Sequence, residues 1–160
     1  MSALKPLLGI TMGDATGCGP EIIVKSLAET AFYDLSRPVV IGDAKIMERA
    51  AKIVGGAVKI RKIADVREAG NAVGVIDVLD LDNLPSDLPF AKVDARAGKA
   101  AYEYVAKGVE LAMRNEIDAI VTAPLNKEAM NLGGYHYAGH TEILGALSGT
   151  KDYAMMLVGG

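Results

Sequence analysis

Two histidines occur in the 160-residue chain, and they fall four positions apart in "GGYHYAGHTEIL", as His136 and His140. On a helix that spacing would set both imidazoles on one face, where they could share a transition metal. Gly133, Gly134 and Gly139 surround the pair, and each glycine costs a helix interior about 1 kcal/mol relative to alanine, so the stretch reads as a loop. Thr141 is placed to cap a helix "EILGALSG", with Glu142 in its first turn. His140 then projects from just before the cap, beside free backbone N–H donors. An anionic or hydroxylated ligand suits that combination, with a surface histidine beside a structural cap as the alternative.

Two further loops carry chemistry-bearing residues. "MGDATGCGPE" (12–21) holds Gly13, Gly17 and Gly19, but its G-x-x-x-G-x-G spacing is neither the dinucleotide-binding nor the P-loop fingerprint. Glycines there let a backbone approach a ligand, and a helix starting at Pro20 points its free N–H groups into the loop. The competing reading is a tight turn formed by Asp14. Cys18, with no histidine near it in sequence, reads as small-residue filler rather than a nucleophile. "TAPLNKE" (122–128) presents Thr122, Asn126 and Lys127 at the end of an apolar strand. Lys127 could neutralise a phosphate or carboxylate, or polarise a hydroxyl under oxidation, or be an ordinary solvated lysine.

Elements that alternate along the chain must position these loops. Strands are expected at 6–12, 37–43, 57–63, 73–80, 118–125 and 152–160, the run 118–125 being fully apolar. A helix from Pro20 should bury Ile22, Ile23, Leu27 and Ala28. A second helix spans 44–56 and closes on a glycine, and the longest covers 94–115 with a stripe of Ala101, Tyr104, Val105, Val109, Ala112 and Met113. Residues 83–90 form a turn-rich connector. This alternation predicts an α/β fold, a three-layer α/β/α sandwich with a mainly parallel sheet. A hydrophobic fraction of 51% supplies the core, and a net charge of −3 with scattered Lys and Arg argues against nucleic-acid binding. No apolar stretch of about 18 residues and no signal sequence is visible, so the expectation is a cytoplasmic protein without membrane contact. The single cysteine agrees with a reducing compartment.

Together "GITMGDATGCGPEI", "VTAPLNKEAM" and "YHYAGHTEIL", in this order and followed by "AMMLVGG", resemble the 4-hydroxythreonine-4-phosphate dehydrogenase (PdxA) family of pyridoxine biosynthesis. The variants "TAPLNKEA" and "YHYAGHTE" are most similar to the branch that includes D-threonate and D-erythronate 4-phosphate dehydrogenases. The resemblance implies an isocitrate/isopropylmalate dehydrogenase-like fold, truncated because the chain matches only the N-terminal half. Residues 1–125 would be a first α/β domain, incomplete without the other half, and 126–160 the start of a second, substrate and dimerisation domain. His140 and Thr141 would bind the phosphorylated substrate, and His136 would be a loop residue. Lys127 is a catalytic candidate, and Gly13, Asp14, Gly17 and Gly19 are candidates for lining the cofactor cleft.

The implied enzyme is a homodimer that uses NAD and a divalent metal (Zn, Mg or Co), with the metal ligands and most of the NAD pocket beyond Gly160. It would oxidise and decarboxylate a four-carbon phosphorylated hydroxy acid, and a segment without those ligands should not catalyse this. A phosphate acyltransferase of related fold, or a non-catalytic fragment, are the rival readings.

Overall fold

The computed structural model describes residues 5–55 and 58–159. The apolar runs become strands β1 (Leu7–Thr11), β2 (Arg37–Gly42), β3 (Lys59–Ile63), β4 (Val75–Asp80) and β5 (Ala119–Thr122). They form one sheet in the order β3-β4-β2-β1-β5, with every pairing parallel. Parallel neighbours need crossovers, which the helices supply: α1 (Gly19–Leu27), α2 (Thr30–Leu35), α3 (Ala44–Val54), α4 (Ala95–Met113), α5 (Lys127–Leu132) and α6 (His140–Ser148).

Strand alternation assigns the helices to two faces. A Cβ placed on Gly108 of α4 would meet Thr11, Ile41 and Ile120, so these side chains point at α4. Leu8, Ile10 and Val121 point the other way, into an apolar groove of about 240 Å³ that α1 borders with Ile22, Ile23 and Leu27. The sheet is thus sandwiched, as the alternation of elements predicts. Its core is aliphatic, with Met12, Val24, Val39, Val40, Ile41, Met47 and Tyr104 fully buried. Burying a side chain of this size stabilises the fold by about 1.5–3 kcal/mol. A satellite core of Val105, Met130 and Ile143 fastens α5 and α6 to α4.

Several expectations need correction. The described part of the run 152–160 is not a strand: residues 153–159 have no regular structure, and Met155, Met156, Leu157 and Val158 are exposed. The chain turns at left-handed Gly149 and lays Tyr153 against Gly145, which carries it over α6 rather than along β5. The apolar run 118–125 supplies a strand over Ala119–Thr122, at the sheet edge beside β1 among the described residues, which leaves Val121 exposed while Ala123 is buried. Ile22 is exposed where the stripe expected burial, as is Ala28, and Val24 takes their place because α1 faces the sheet through Ile23, Val24 and Leu27. Met113, at the end of α4, is also exposed. The expected ends at Gly56, Ala57 and Gly160 lie outside the described residues.

Candidate functional site

The ends of the two neighbouring strands β1 and β5 carry the first two loops, and α6 brings the third against them. Met12 N–H donates to the Ile41 carbonyl (2.9 Å), Ala123 N–H to the Thr11 carbonyl (3.1 Å) and Asp14 N–H to the Pro124 carbonyl (2.9 Å), so the loops leave the sheet locked together. Gly13 has φ +72°, and a Cβ there would stand 2.3 Å from the Pro124 oxygen; one on Gly19 would stand 2.6 Å from the Met12 oxygen. Close backbone packing therefore requires both glycines. Asp14 forms the turn: its Oδ1 accepts from Thr16 N–H (3.0 Å) and Thr16 Oγ1 (2.9 Å).

An open cleft of about 480 Å³ lies between these loops, lined by Asp14, Gly17, Cys18, Asn126, Lys127 and their neighbours. Of the expected cleft residues, Asp14 and Gly17 are on its wall, as is the catalytic candidate Lys127, while Gly13 and Gly19 are not and pack against Ala123 and Pro124. Asn126 caps α5, its Oδ1 accepting from Ala129 N–H at 3.0 Å, which sets Lys127 as the first residue of that helix.

His140 opens α6 rather than preceding its cap. Gly139 is the N-cap, with no side-chain hydrogen bond, so Thr141 is not the capping residue expected from its position. A cap with no side-chain acceptor leaves the first-turn N–H groups available to a ligand. The His140 ring is half-buried beside Ala123, and its Nε2 is buried with no hydrogen-bond partner among the described residues. Burial pushes the imidazole pKa below its ordinary value, with the Ala123 backbone partly opposing. A Cβ on Gly139 would fall 3.5 Å from Glu142 Oε2 and 4.0 Å from Lys127 Cε, so the two charged side chains converge beside His140.

The other two candidates separate from this corner. His136 is exposed in the loop between α5 and α6. Thr141 lines a different groove, shared with Val109, Ile120, Leu144 and Tyr153. The four-residue spacing of the histidines thus falls across a helix start, which points the two rings to different surroundings.

Residues that carried no sequence signal support the site. Arg49 of α3 donates to the carbonyls of Leu88 (2.7 Å) and Ala15 (2.8 Å) and lies 3.8 Å over the Phe90 ring. It ties the connector 83–90 to the glycine-rich loop, and burial lowers its pKa. An arginine inside an amphipathic helix reads as solvated until its partners are known.

Residues 34–160 match the family described as Pyridoxal phosphate biosynthetic protein PdxA. The chain is 51% identical over 158 residues to the D-threonate 4-phosphate dehydrogenase of Cupriavidus necator, covering 99% of this chain and 47% of that protein. It superposes on a 4-hydroxythreonine-4-phosphate dehydrogenase from Burkholderia phymatum with a TM-score of 0.94 and 55% identity, covering 97% of this chain and 47% of that one. The Klebsiella pneumoniae 4-hydroxythreonine-4-phosphate dehydrogenase gives 0.89 and 41%, over 99% and 48% respectively. The chain spans about half the length of the curated relatives it matches.

Proposed function

The chain belongs to the PdxA family, and from that premise we propose that it supplies the substrate-holding loops of a dehydrogenase acting on a four-carbon phosphorylated hydroxy acid. The candidates are D-threonate 4-phosphate, D-erythronate 4-phosphate and 4-hydroxythreonine 4-phosphate. In the proposed reaction NAD accepts a hydride from the secondary alcohol carbon, the hydroxyl proton is released, and the resulting 3-keto acid loses its carboxylate as carbon dioxide, the enolate left behind taking up a proton.

One observation carries the assignment of the site: a buried imidazole nitrogen without a partner at an uncapped helix start. An orphaned buried polar atom costs about 1–3 kcal/mol, which a substrate oxygen would recover. His140 and the first-turn N–H groups, that of Thr141 among them, would hold the phosphate or a hydroxyl. Lys127 would add a charge-assisted hydrogen bond to a phosphate, a carboxylate or the reacting hydroxyl.

Among the described residues no three His, Cys, Asp or Glu side chains are placed to hold a metal ion. This segment's residues do not fit the divalent ion, which we assign to the rest of the full-length protein together with most of the NAD pocket. Residues from 126 onward would open the domain that completes the site in a homodimer.

The test is a pair of variants in a full-length polypeptide that carries this segment. His140→Ala should lower kcat/KM by about 10- to 150-fold, the equivalent of losing 1.5–3 kcal/mol of contact to a charged ligand. Metal content should stay unchanged, and His136→Ala should cost far less. Loss of metal in His140→Ala, or equal damage from both variants, would overturn the assignment.

A further inference from the structure

One face of α4 forms a rail for everything that positions His140. Gly98, Tyr102, Val105 and Val109 recur at intervals of three or four and so lie along one stripe. At Gly98 the backbone of α5 comes so close that a Cβ would stand 2.0 Å from the Ala129 carbonyl. A Cβ on Gly133, just past α5, would stand 2.8 Å from both the Ala95 oxygen and the Lys99 nitrogen. One turn beyond Gly98, the Tyr102 ring stacks on Tyr135, with centroids 3.8 Å apart and planes at 15°, and on Tyr137, at 5.8 Å and 14°. One further turn along, Val105 packs with Met130 and Ile143. The loop between α5 and α6 contains Gly134, with φ +93°, and Gly139. Its backbone chemistry favours many conformations, so the aromatic contacts on α4 decide where it rests.

We propose that Tyr102 is a positioning residue for His140: by stacking on Tyr135 and Tyr137 it fastens the 133–139 loop to α4 and fixes the first residue of α6 against Ala123. The inference rests on the reading of His140 as a substrate contact only for its consequence in catalysis; the positioning itself is a property of this chain. Stacked aromatic pairs contribute beyond their burial, and a phenyl ring stacks as well as a phenol. The ring is therefore assigned the work, and Tyr102→Phe removes only the hydroxyl that faces Tyr137. The charged groups that face this corner are Lys127 of α5 and Glu142 of α6, and neither changes in the variants below.

The readout is the imidazole of half-buried His140 in a full-length polypeptide that carries this segment, its resonance assigned by its loss in His140→Ala. Imidazole NMR titrations would be recorded for the wild type, Tyr102→Ala, Tyr102→Phe and Tyr135→Ala. In Tyr102→Ala the His140 resonance should move and its titration midpoint should rise toward 6.5 as burial is lost. Tyr102→Phe should keep the wild-type His140 midpoint. If Tyr102→Ala loses the dispersed spectrum of a folded protein, Tyr135→Ala decides, since it removes one stacking partner from the loop side and should shift His140 in the same direction.

An unmoved His140 in a folded Tyr102→Ala or Tyr135→Ala, or a Tyr102→Phe as disruptive as the alanine variant, would overturn the proposal. Adding D-threonate 4-phosphate to the full-length wild type tests the substrate reading separately. A His140 that ignores that ligand would sink the reading while leaving the dependence on Tyr102 intact.

Discussion

Gly13 and Gly55 share a left-handed backbone, at φ +72° and +73°, yet only Gly13 has a carbonyl in the space a Cβ would take. The comparison separates two reasons for a glycine. Gly55→Ala pays the left-handed conformational cost alone, about 1–2 kcal/mol. Gly13→Ala adds a backbone clash that no rotamer can relieve, so its loss should exceed that of Gly55→Ala by at least about 1 kcal/mol. Urea unfolding of the two variants checks this, and equal midpoints would show that the loops can separate without cost. The same residues mark a limit of sequence reasoning. The pattern shows that a position tolerates no side chain, but not whether a ligand or another loop fills the space. At Gly13 and Gly19 the neighbouring loop does so. The half-burial of His140 was hidden for a related reason, since its backbone neighbour Ala123 belongs to another loop.

The elements with a clean period were legible: β1, β2, α3 and α4 follow their apolar patterns closely, and Gly55 ends α3 as its position predicts. The short α2 was missed because six residues give no period to read. The tail at 152–160 misled because an apolar run has the composition of a strand, whereas a strand also needs a ladder partner. Arg49 shows how a single side chain links elements, joining α3 to the glycine-rich loop and to the connector. Arg49→Met would keep much of the stem packing on Phe90 but leave two carbonyls without their donor. With hydrogen bonds to a charged group worth about 1.5–3 kcal/mol, discounted for partial exposure, the variant should lose about 1–2 kcal/mol. Hydrogen exchange should quicken at Ala91, whose N–H donates to the Thr16 carbonyl beside it. Unchanged stability and exchange would mean that the loop holds its shape without this tie.

For the molecule as a whole, the parallel pairing of β1 with β5 brings the first loop beside the second across about a hundred residues of chain, and α6 adds the third. Ligands in open α/β sheets gather beyond the carboxyl ends of strands, and the cleft beside Lys127 and the orphaned nitrogen of His140 both lie there. The relatives named as dehydrogenases extend well beyond this segment, so the proposed chemistry is to be tested on a full-length polypeptide that carries it. The most direct measurement is NADH formation by that polypeptide with D-threonate 4-phosphate and with 4-hydroxythreonine 4-phosphate, with carbon dioxide release followed alongside. The account predicts NAD reduction coupled to carbon dioxide release with at least one of the two. No NAD reduction with either substrate, accompanied by acyl transfer to phosphate, would contradict it.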